Sequence, residues 1–423
     1  VILSPRRRWI LFALALTASV LNLVDRQIIA VLKPVIAADL GWTDDDYGTL
    51  AAWFQGSAAI AFLFTGWIAD KLGVKWANPL GVVTWSIAAI AHAWAFTMGQ
   101  FILVRAALGA TEAMGTPTGI KTVATIFPPH MRSTAFGLSN AVGSVGAILA
   151  PLGIPLLAAL YGWRAAFVIA GLLGFAWAAA WLIATRGVSF AASSPEPVAG
   201  AAATSQEDLG PDYGPITRDR RTWAIAVAKV LSDSTWWLLL FWMPDFFNRQ
   251  FHLSGTALGP PLAVAYTGAA VGSVIAGMLA TRSLLRGVPL DRVRKRTMLI
   301  SALVVVPIPL ALHSQHVWAA TLILALALAG HQGFSTTLFA VISDVTPRAK
   351  VGRVTAFGAF CGNLGGMAIA KIAGLVLTAG LGYSPLFLFA SVSYLLALGW
   401  IRLLLPRIRR AEPLGDAAFA GGH

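Results

Sequence analysis

From Arg8 to Leu405 the chain alternates long apolar stretches with short polar segments. A helix rises 1.5 Å per residue, so a stretch of ~20 residues crosses the hydrocarbon core of a bilayer. Stretches of that length fall at 9–35, 47–70, 76–96, 98–126, 134–160 and 164–185. After a long interruption they resume at 222–248, 257–285, 297–313, 317–345, 354–380 and 383–405. The pattern predicts an all-α membrane protein with twelve transmembrane helices in two six-helix bundles. The expected organisation is one bundle over 1–186, a cytoplasmic linker over 187–221, a second bundle over 222–406 and a cytoplasmic tail over 407–423. Segment 189–217 is rich in Ala, Ser, Pro and Gly and reads as a flexible linker with no site in it.

Composition agrees with the pattern. Apolar residues make up 57% of the 423 and charged residues 12%, about half the usual charge of a soluble domain. Mean hydropathy is +0.73. The net charge of +13 sits in short loops between apolar stretches and not in a nucleic-acid-binding face. Arg6 to Arg8, Lys71, Lys75, Arg132, Arg218 to Arg221, Arg282 to Arg296, Arg348 to Arg353 and Arg407 to Arg410 fall on one side. The acidic run Asp44, Asp45, Asp46 falls on the other. By the positive-inside rule both termini are cytoplasmic. The opening RRRWILFALALTASV has the look of a secretory signal, but no cleavage site precedes Asp25, so it reads as an uncleaved first span. The single cysteine, Cys361, excludes an internal disulfide and a multi-cysteine metal site, and is expected to serve packing.

The two halves repeat. RSTAFG at 132–137 recurs as RVTAFG at 353–358, each followed by an Asn and a glycine-rich helix. Aligning Pro128 with Pro347 sets Glu112 opposite His331. Duplicated six-helix halves with a site at the midplane are a common plan of secondary transporters.

Charges within the spans mark candidate function, because each costs at least ~3 kcal/mol on insertion scales. Asp25 and Arg26 are adjacent in the first span and point about 100° apart, so they need not neutralise each other. Arg105 and Glu112 are two turns apart on one face of the fourth span, about 10 Å along the axis. Both pairs can brace helices. As a site, Arg105 would hold a carboxylate through a bidentate guanidinium, and the desolvated Glu112 would exchange a proton near neutrality. Gln332 and His331 lie mid-span in the tenth stretch, where they suit a hydroxylated ligand or a helix–helix hydrogen bond. Trp236, Trp237 and Trp242 offer rings to a sugar or belong to an interfacial belt, with at least one expected in the belt. Lys121 is a further candidate carboxylate partner, provided that Pro117 kinks the helix; otherwise it snorkels toward the cytoplasm. GWIADKLGVK at 66–75 joins the second and third spans, its glycines suited to close helix approach and Asp70 to pairing with basic groups.

That last motif resembles the cytoplasmic signature of the major facilitator superfamily, carried here by Gly66, Asp70, Lys71, Gly73 and Lys75. In the second half GMLATRSLLRG keeps Gly277 and Arg282 without the acid. The Asp25–Arg26 pair, RAALGATEAMGTP in the fourth span and GIKTVATIFPPHMRSTAFGLSNAVGSVGAILAP resemble the anion:cation symporter branch, and within it the bacterial hexuronate transporters. SDSTWWLLLFWMPDFFNRQF, AGHQGFSTTLFAVISDVTPR and GGMAIAKIAGLVL extend the likeness over nearly the whole chain. The resemblance implies the pseudo-symmetric major facilitator fold in a bacterial inner membrane, and proton symport of glucuronate or galacturonate. It casts Asp25 and Glu112 as proton-coupling acids, Arg26 and Arg105 as substrate-side cations, and Asn140 and Asn363 as polar cavity residues. Where the relatives often carry an aromatic two residues before the Asp–Arg pair, this chain has Leu23.

The expected activity is import of a sugar-acid anion by alternating access, with protons as coupling ion, no other cofactor, a lipid bilayer around a functional monomer and no nucleic-acid partner. An aldonate such as galactonate, or another carboxylate, is the alternative substrate. A drug/proton antiporter would want an acidic cavity without these cations. An enzyme would need a clustered nucleophile–base or metal-ligand set, and the seven His are scattered without HxxxH or HExxH. A channel would rely on rings or filters.

Overall fold

Pro5 occupies the first turn of the first helix and the Ser4 hydroxyl accepts from the Arg7 amide at 3.3 Å. In the computed structural model, which describes residues 4–188, 190 and 213–411, this helix, α1, runs Pro5–Leu40 and ends at left-handed Gly41. Thr43 and Asp46 form a capping box that opens α2, Asp44–Ala91. α2 is two passes joined at Gly73, whose φ of 67° reverses the chain where a side chain would be strained. The fourth pass is broken into α3, Met98–Glu112, and α4, Gly115–Ile126. Pro117 lacks the N–H that would reach back one turn, so the helix gives way at Ala113 and Met114, directly after Glu112. α5 (Pro129–Tyr161) and α6 (Trp163–Ala184) complete the first bundle, turning at Gly162.

A single turn, α7 (Gly214–Thr217), precedes the second bundle. It comprises α8 (Arg220–Phe251), α9 (Gly259–Leu285), α10 (Leu290–Val305), α11 (Val317–Val345), α12 (Arg348–Thr378) and α13 (Ser384–Leu404). Among the described residues there is no strand, and nine helices are long and apolar enough to cross a membrane. Those nine count the α2 hairpin once. Its second pass, the interrupted α3–α4 and the proline-bearing α5 bring the passes to twelve. Several helices outrun the apolar stretches: α1 continues to Leu40, α10 begins at Leu290 and α12 at Arg348. Hydrogen bonding carries a helix past the bilayer edge, so polarity does not mark its ends. Most of the linker 187–221 and tail 407–423 lies outside the described residues.

The repeated RSTAFG and RVTAFG occupy the first turns of α5 and α12, each helix capped by an extended proline, Pro128 and Pro347. Backbones approach closely where the halves meet. A Cβ on Gly48 of α2 would stand 2.7 Å from the Ala370 carbonyl of α12, and one on Gly374 would stand 2.8 Å from that of Asp44. On the other flank a Cβ on Gly259 of α9 would meet the Pro151 carbonyl of α5 at 3.0 Å. These contacts gather at the end of the bundle opposite both termini, so the halves are shut at that end.

Candidate functional site

The break after Glu112 leaves its carboxylate facing α1, where Arg26 Nε donates to Glu112 Oε2 at 2.7 Å. The Arg26 guanidinium lies over two rings, Phe54 of α2 at 5.6 Å and Trp237 of α8, in the opposite half, at 5.7 Å. Arg105 lies over the same Phe54 ring at 5.4 Å and is 1% exposed. Asp25 is within electrostatic reach of Glu112, Arg105 and Arg26. Two acids and two arginines thus converge around one aromatic ring at the seam between the bundles.

This cluster is incompletely satisfied by protein. Arg105 Nε and Nη1, Asp25 Oδ1, Glu112 Oε1 and both side-chain polar atoms of Gln55 are buried and carry no hydrogen-bond partner among the described residues. Buried polar groups are almost always paired, and an unpaired one costs about 1–3 kcal/mol. Such a concentration of open donors and acceptors is the arrangement of a binding site. Arg105 presents a planar guanidinium fork, a geometry that can pair with a carboxylate. The bond between Arg26 and Glu112 ties one cation to one acid, so protonating the acid loosens the cation for an anionic ligand.

The remaining sequence candidates divide. Trp237 joins the cluster through Arg26 and stacks on Phe241 at 5.6 Å. Asn363 of α12 donates to Ala359 of its own helix and keeps a buried Oδ1 with no hydrogen-bond partner among the described residues. The side chain of Asn140 lies outside those described. His331 is taken up within the second bundle: Trp236 stacks on it at 4.9 Å and its Nδ1 meets the Tyr394 hydroxyl at 2.7 Å. Tyr394 donates to the Ser232 carbonyl, so it accepts from His331, which fixes the Nδ1–H tautomer. Gln332 is half-buried on the neighbouring face of α11. Leu23 packs towards Gly146 of α5, where a Cβ would lie 3.0 Å from its own.

Three expectations need correction. Lys121 does not reach the cluster: its ammonium donates to Asp70 Oδ1 and the Ala69 carbonyl, both at 2.8 Å, beside the α2 hairpin. The break before Pro117 leaves it at the end of the bundle that carries the termini. The glycines of 66–75 do not serve helix approach, since a Cβ on Gly66 or Gly73 would meet nothing within 4 Å. Gly73 is there for its φ, and Asp70 is the paired acid. Lys71 and Lys75 instead lie over Trp67 and Trp76. No member of the Trp236, Trp237, Trp242 group forms an interfacial belt: Trp237 and Trp242 are buried and Trp236 half-buried against His331.

Sequence reading also passed over a second charged assembly, at the shut end. Lys33 of α1 donates to Asp44 of α2 at 2.6 Å and to Asp245 of α8 at 2.5 Å. Arg249 holds the same two carboxylates, and Tyr383 donates to Asp245. Beside them Lys371 of α12 binds Asp45 and Thr49. A cleft of about 460 Å³ opens over this assembly, lined among others by Lys33, Asp44, Asp245 and Arg249. The available signal was Lys33 itself, a charge two turns beyond Arg26, and the i,i+4 pair Asp245–Arg249. The network bridges the halves, so its loss should open them. Asp245→Ala leaves buried Lys33 without one carboxylate, a change of the class that costs about 3–5 kcal/mol. Spin labels at Tyr161→Cys and Leu381→Cys, in a Cys361→Ala background, should gain a longer-distance population in this variant. A distribution identical to the parent's would show that the bridges do not hold this end closed.

A family model described as Major Facilitator Superfamily matches residues 15–290 and 283–420. The chain belongs to the major facilitator superfamily. It is a multi-pass membrane transporter and not an enzyme. Relatives match over almost their full length. The hexuronate transporter of Escherichia coli K12 is 27% identical over 92% of each chain. The D-galactonate transporter of E. coli O6:H1 is 25% identical over 94% of this chain and 96% of its own. The hexuronate transporter of Bacillus subtilis is 25% identical over 95% of both. The fold is that of solved superfamily members. A bacterial homologue of the human lysosomal transporter Spinster, inward-facing and occupied, superposes with a TM-score of 0.74 at 19% identity, covering 97% of this chain and 100% of that one. The D-xylose–proton symporter superposes with 0.69 at 16% identity, covering 93% and 97%.

Proposed function

We propose that this protein is a proton-coupled symporter that imports a sugar-acid anion, a hexuronate such as glucuronate or galacturonate, by alternating access. The observation that carries the reading is the Arg26–Glu112 bond beside Arg105, whose buried Nε and Nη1 have no hydrogen-bond partner among the described residues. Two cations suit a carboxylate, and an acid that competes for one of them provides the link to a proton. Protonation of Glu112 releases Arg26 to the anion, so proton and substrate favour each other's binding. Asp25, buried within reach of the same groups, belongs to the same relay. The named activities of the relatives support the substrate class.

The basic loops orient the termini to the cytoplasm of a bacterial inner membrane. The end shut by Lys33, Asp44, Asp245 and Arg249 is then the outer one, and the halves rock about the central cluster to open it. Both halves lie in one chain, so a monomer forms a complete site. The similarity to a D-galactonate transporter, close to that of the hexuronate relatives, makes an aldonate the second reading.

Proteoliposomes with an imposed inward proton gradient test both. Labelled glucuronate or galacturonate should accumulate above its external concentration, and a protonophore should abolish the accumulation. Preferential accumulation of galactonate would select the second reading. Accumulation of neutral hexoses with no uronate or aldonate would overturn the substrate class.

A further inference from the structure

The second bundle carries its own buried ion pair, for which the coupling scheme above has no use. Lys229 Nζ meets Asp233 Oδ2 at 2.6 Å on α8, with side chains only 8% and 13% exposed. Ser232 also donates to Asp233 Oδ1 at 3.3 Å. A self-neutralising pair inside a membrane protein is weak evidence for stability, because apolar replacements commonly serve as well. Its position gives it a different use.

Lys229, Asp233 and Trp237 follow one another at single-turn spacing on α8, about 6 Å per step, and Trp237 is the ring that covers Arg26. The pair therefore continues the central site along α8 towards the end that carries the termini. α12 is cut away to admit it, with Gly358, Gly362 and Gly366 at the same spacing. A Cβ on Gly358 would touch Lys229 Cγ at 3.6 Å. One on Gly362 would fall 2.2 Å from Asp233 Oδ2, and one on Gly366 would fall 2.4 Å from Trp237 and 3.0 Å from Gln55 of the other half. The Asp233 carboxylate thus rests on bare backbone.

The surroundings of the pair also include an exposed ring. The Lys229 ammonium lies 5.0 Å above the Phe339 ring of α11, and Phe339 is 47% exposed. Leu322 and Leu326 mark the bilayer face of α11 by their exposure. Thirteen and seventeen residues at ~100° each turn Phe339 about 140° from Leu326 and about 100° from Leu322, so it stands off the face those two mark, on the side of α11 that meets Lys229.

We infer that Lys229 and Asp233 form a subsite for the hydroxyl-bearing end of the substrate, whose carboxylate is held by Arg26 and Arg105. An aspartate accepts hydrogen bonds from neighbouring hydroxyls while a lysine donates to their oxygens. The pair carries no net charge, so it suits a neutral polyhydroxylated group and not a second anion. The subsite makes the carrier selective for sugar acids over simple carboxylates. It rests on the proposed function, deepening it.

Calorimetry on the purified full-length protein tests it, with glucuronate and its series of mono-deoxy analogues. Wild-type binding of glucuronate is measured first; if no sugar acid binds, the proposed function fails and this subsite with it. With binding established, Asp233→Asn should weaken glucuronate at least tenfold. For the analogue that lacks the contacted hydroxyl, the same substitution should make less than a twofold difference, as a ligand–protein double-mutant cycle requires. Equal weakening across the series would mean a structural role, and no weakening would mean no contact. Either outcome overturns the inference while leaving the transport reading standing. Gly362→Ala displaces the same carboxylate without changing charge and should reproduce the selective loss, which keeps the test decisive if Asp233→Asn does not fold.

Discussion

Arg105→Ala is expected to weaken substrate binding by more than about tenfold, not merely to slow transport. Arg105 is almost wholly buried, it lies over Phe54, and its Nε and Nη1 have no protein partner among the described residues. A guanidinium so placed gives its hydrogen bonds to a ligand or to nothing. Removing one partner of a buried charge–carboxylate contact costs about 2–5 kcal/mol, and each 1.4 kcal/mol is roughly a factor of ten in affinity. A micromolar ligand would move to the range from about tens of micromolar to millimolar. Arg105→Lys should be impaired as well, since an ammonium is a point donor and cannot reproduce the planar fork. Calorimetry with glucuronate checks both. Wild-type affinity in the alanine variant would make Arg105 a brace between helices and leave Arg26 as the substrate cation.

Glu112→Gln should separate exchange from accumulation. The amide oxygen can still accept from Arg26, so the bond seen at 2.7 Å has a neutral counterpart and the cavity keeps its shape. What disappears is the carboxylate that, in the proposed mechanism, competes with substrate for Arg26 and releases its proton on the return step. Reconstituted protein should therefore exchange labelled substrate across the membrane at a rate near that of the parent, because exchange never requires the empty, deprotonated carrier to return. Uptake driven by a proton gradient should be lost. Parent binding should tighten as pH falls, because protonation frees Arg26; the variant, already in the neutral form, should lose most of that dependence. Both fluxes are measured on the same vesicles. Continued concentration of substrate by Glu112→Gln would remove Glu112 from the coupling role and make buried Asp25 the leading acid, with Asp25→Asn the next variant to compare.

The central cluster was largely legible in the chain because its members break a local rule. Asp25, Arg26, Arg105 and Glu112 are charges within apolar stretches, and the cost of such charges marks them without any knowledge of their neighbours. The partnership was not legible. Arg105 and Glu112 share a helix face, but Glu112 bonds Arg26 across 86 positions, and the break at Ala113 and Met114 sets its direction. For His331 the sequence left a ligand contact and a helix–helix hydrogen bond equally open, and the structure supplies a bond to Tyr394 and a stack on Trp236.

The sequence by itself determined the membrane class, the twelve passes, the duplication and the charged residues of the centre. These follow from hydropathy over ~20 residues and from short repeated motifs, which are properties of contiguous chain. Only the tertiary structure decided which charges meet. Lys33, Asp44, Asp245, Arg249 and Tyr383 come from α1, α2, α8 and the start of α13 to close one end. Lys121 is drawn to Asp70 and away from the site, and Lys229 and Asp233 gain their setting from glycines more than 120 residues away. Electrostatic partnership depends on distance in space and on exclusion of water, and neither is written in the spacing of residues along a chain.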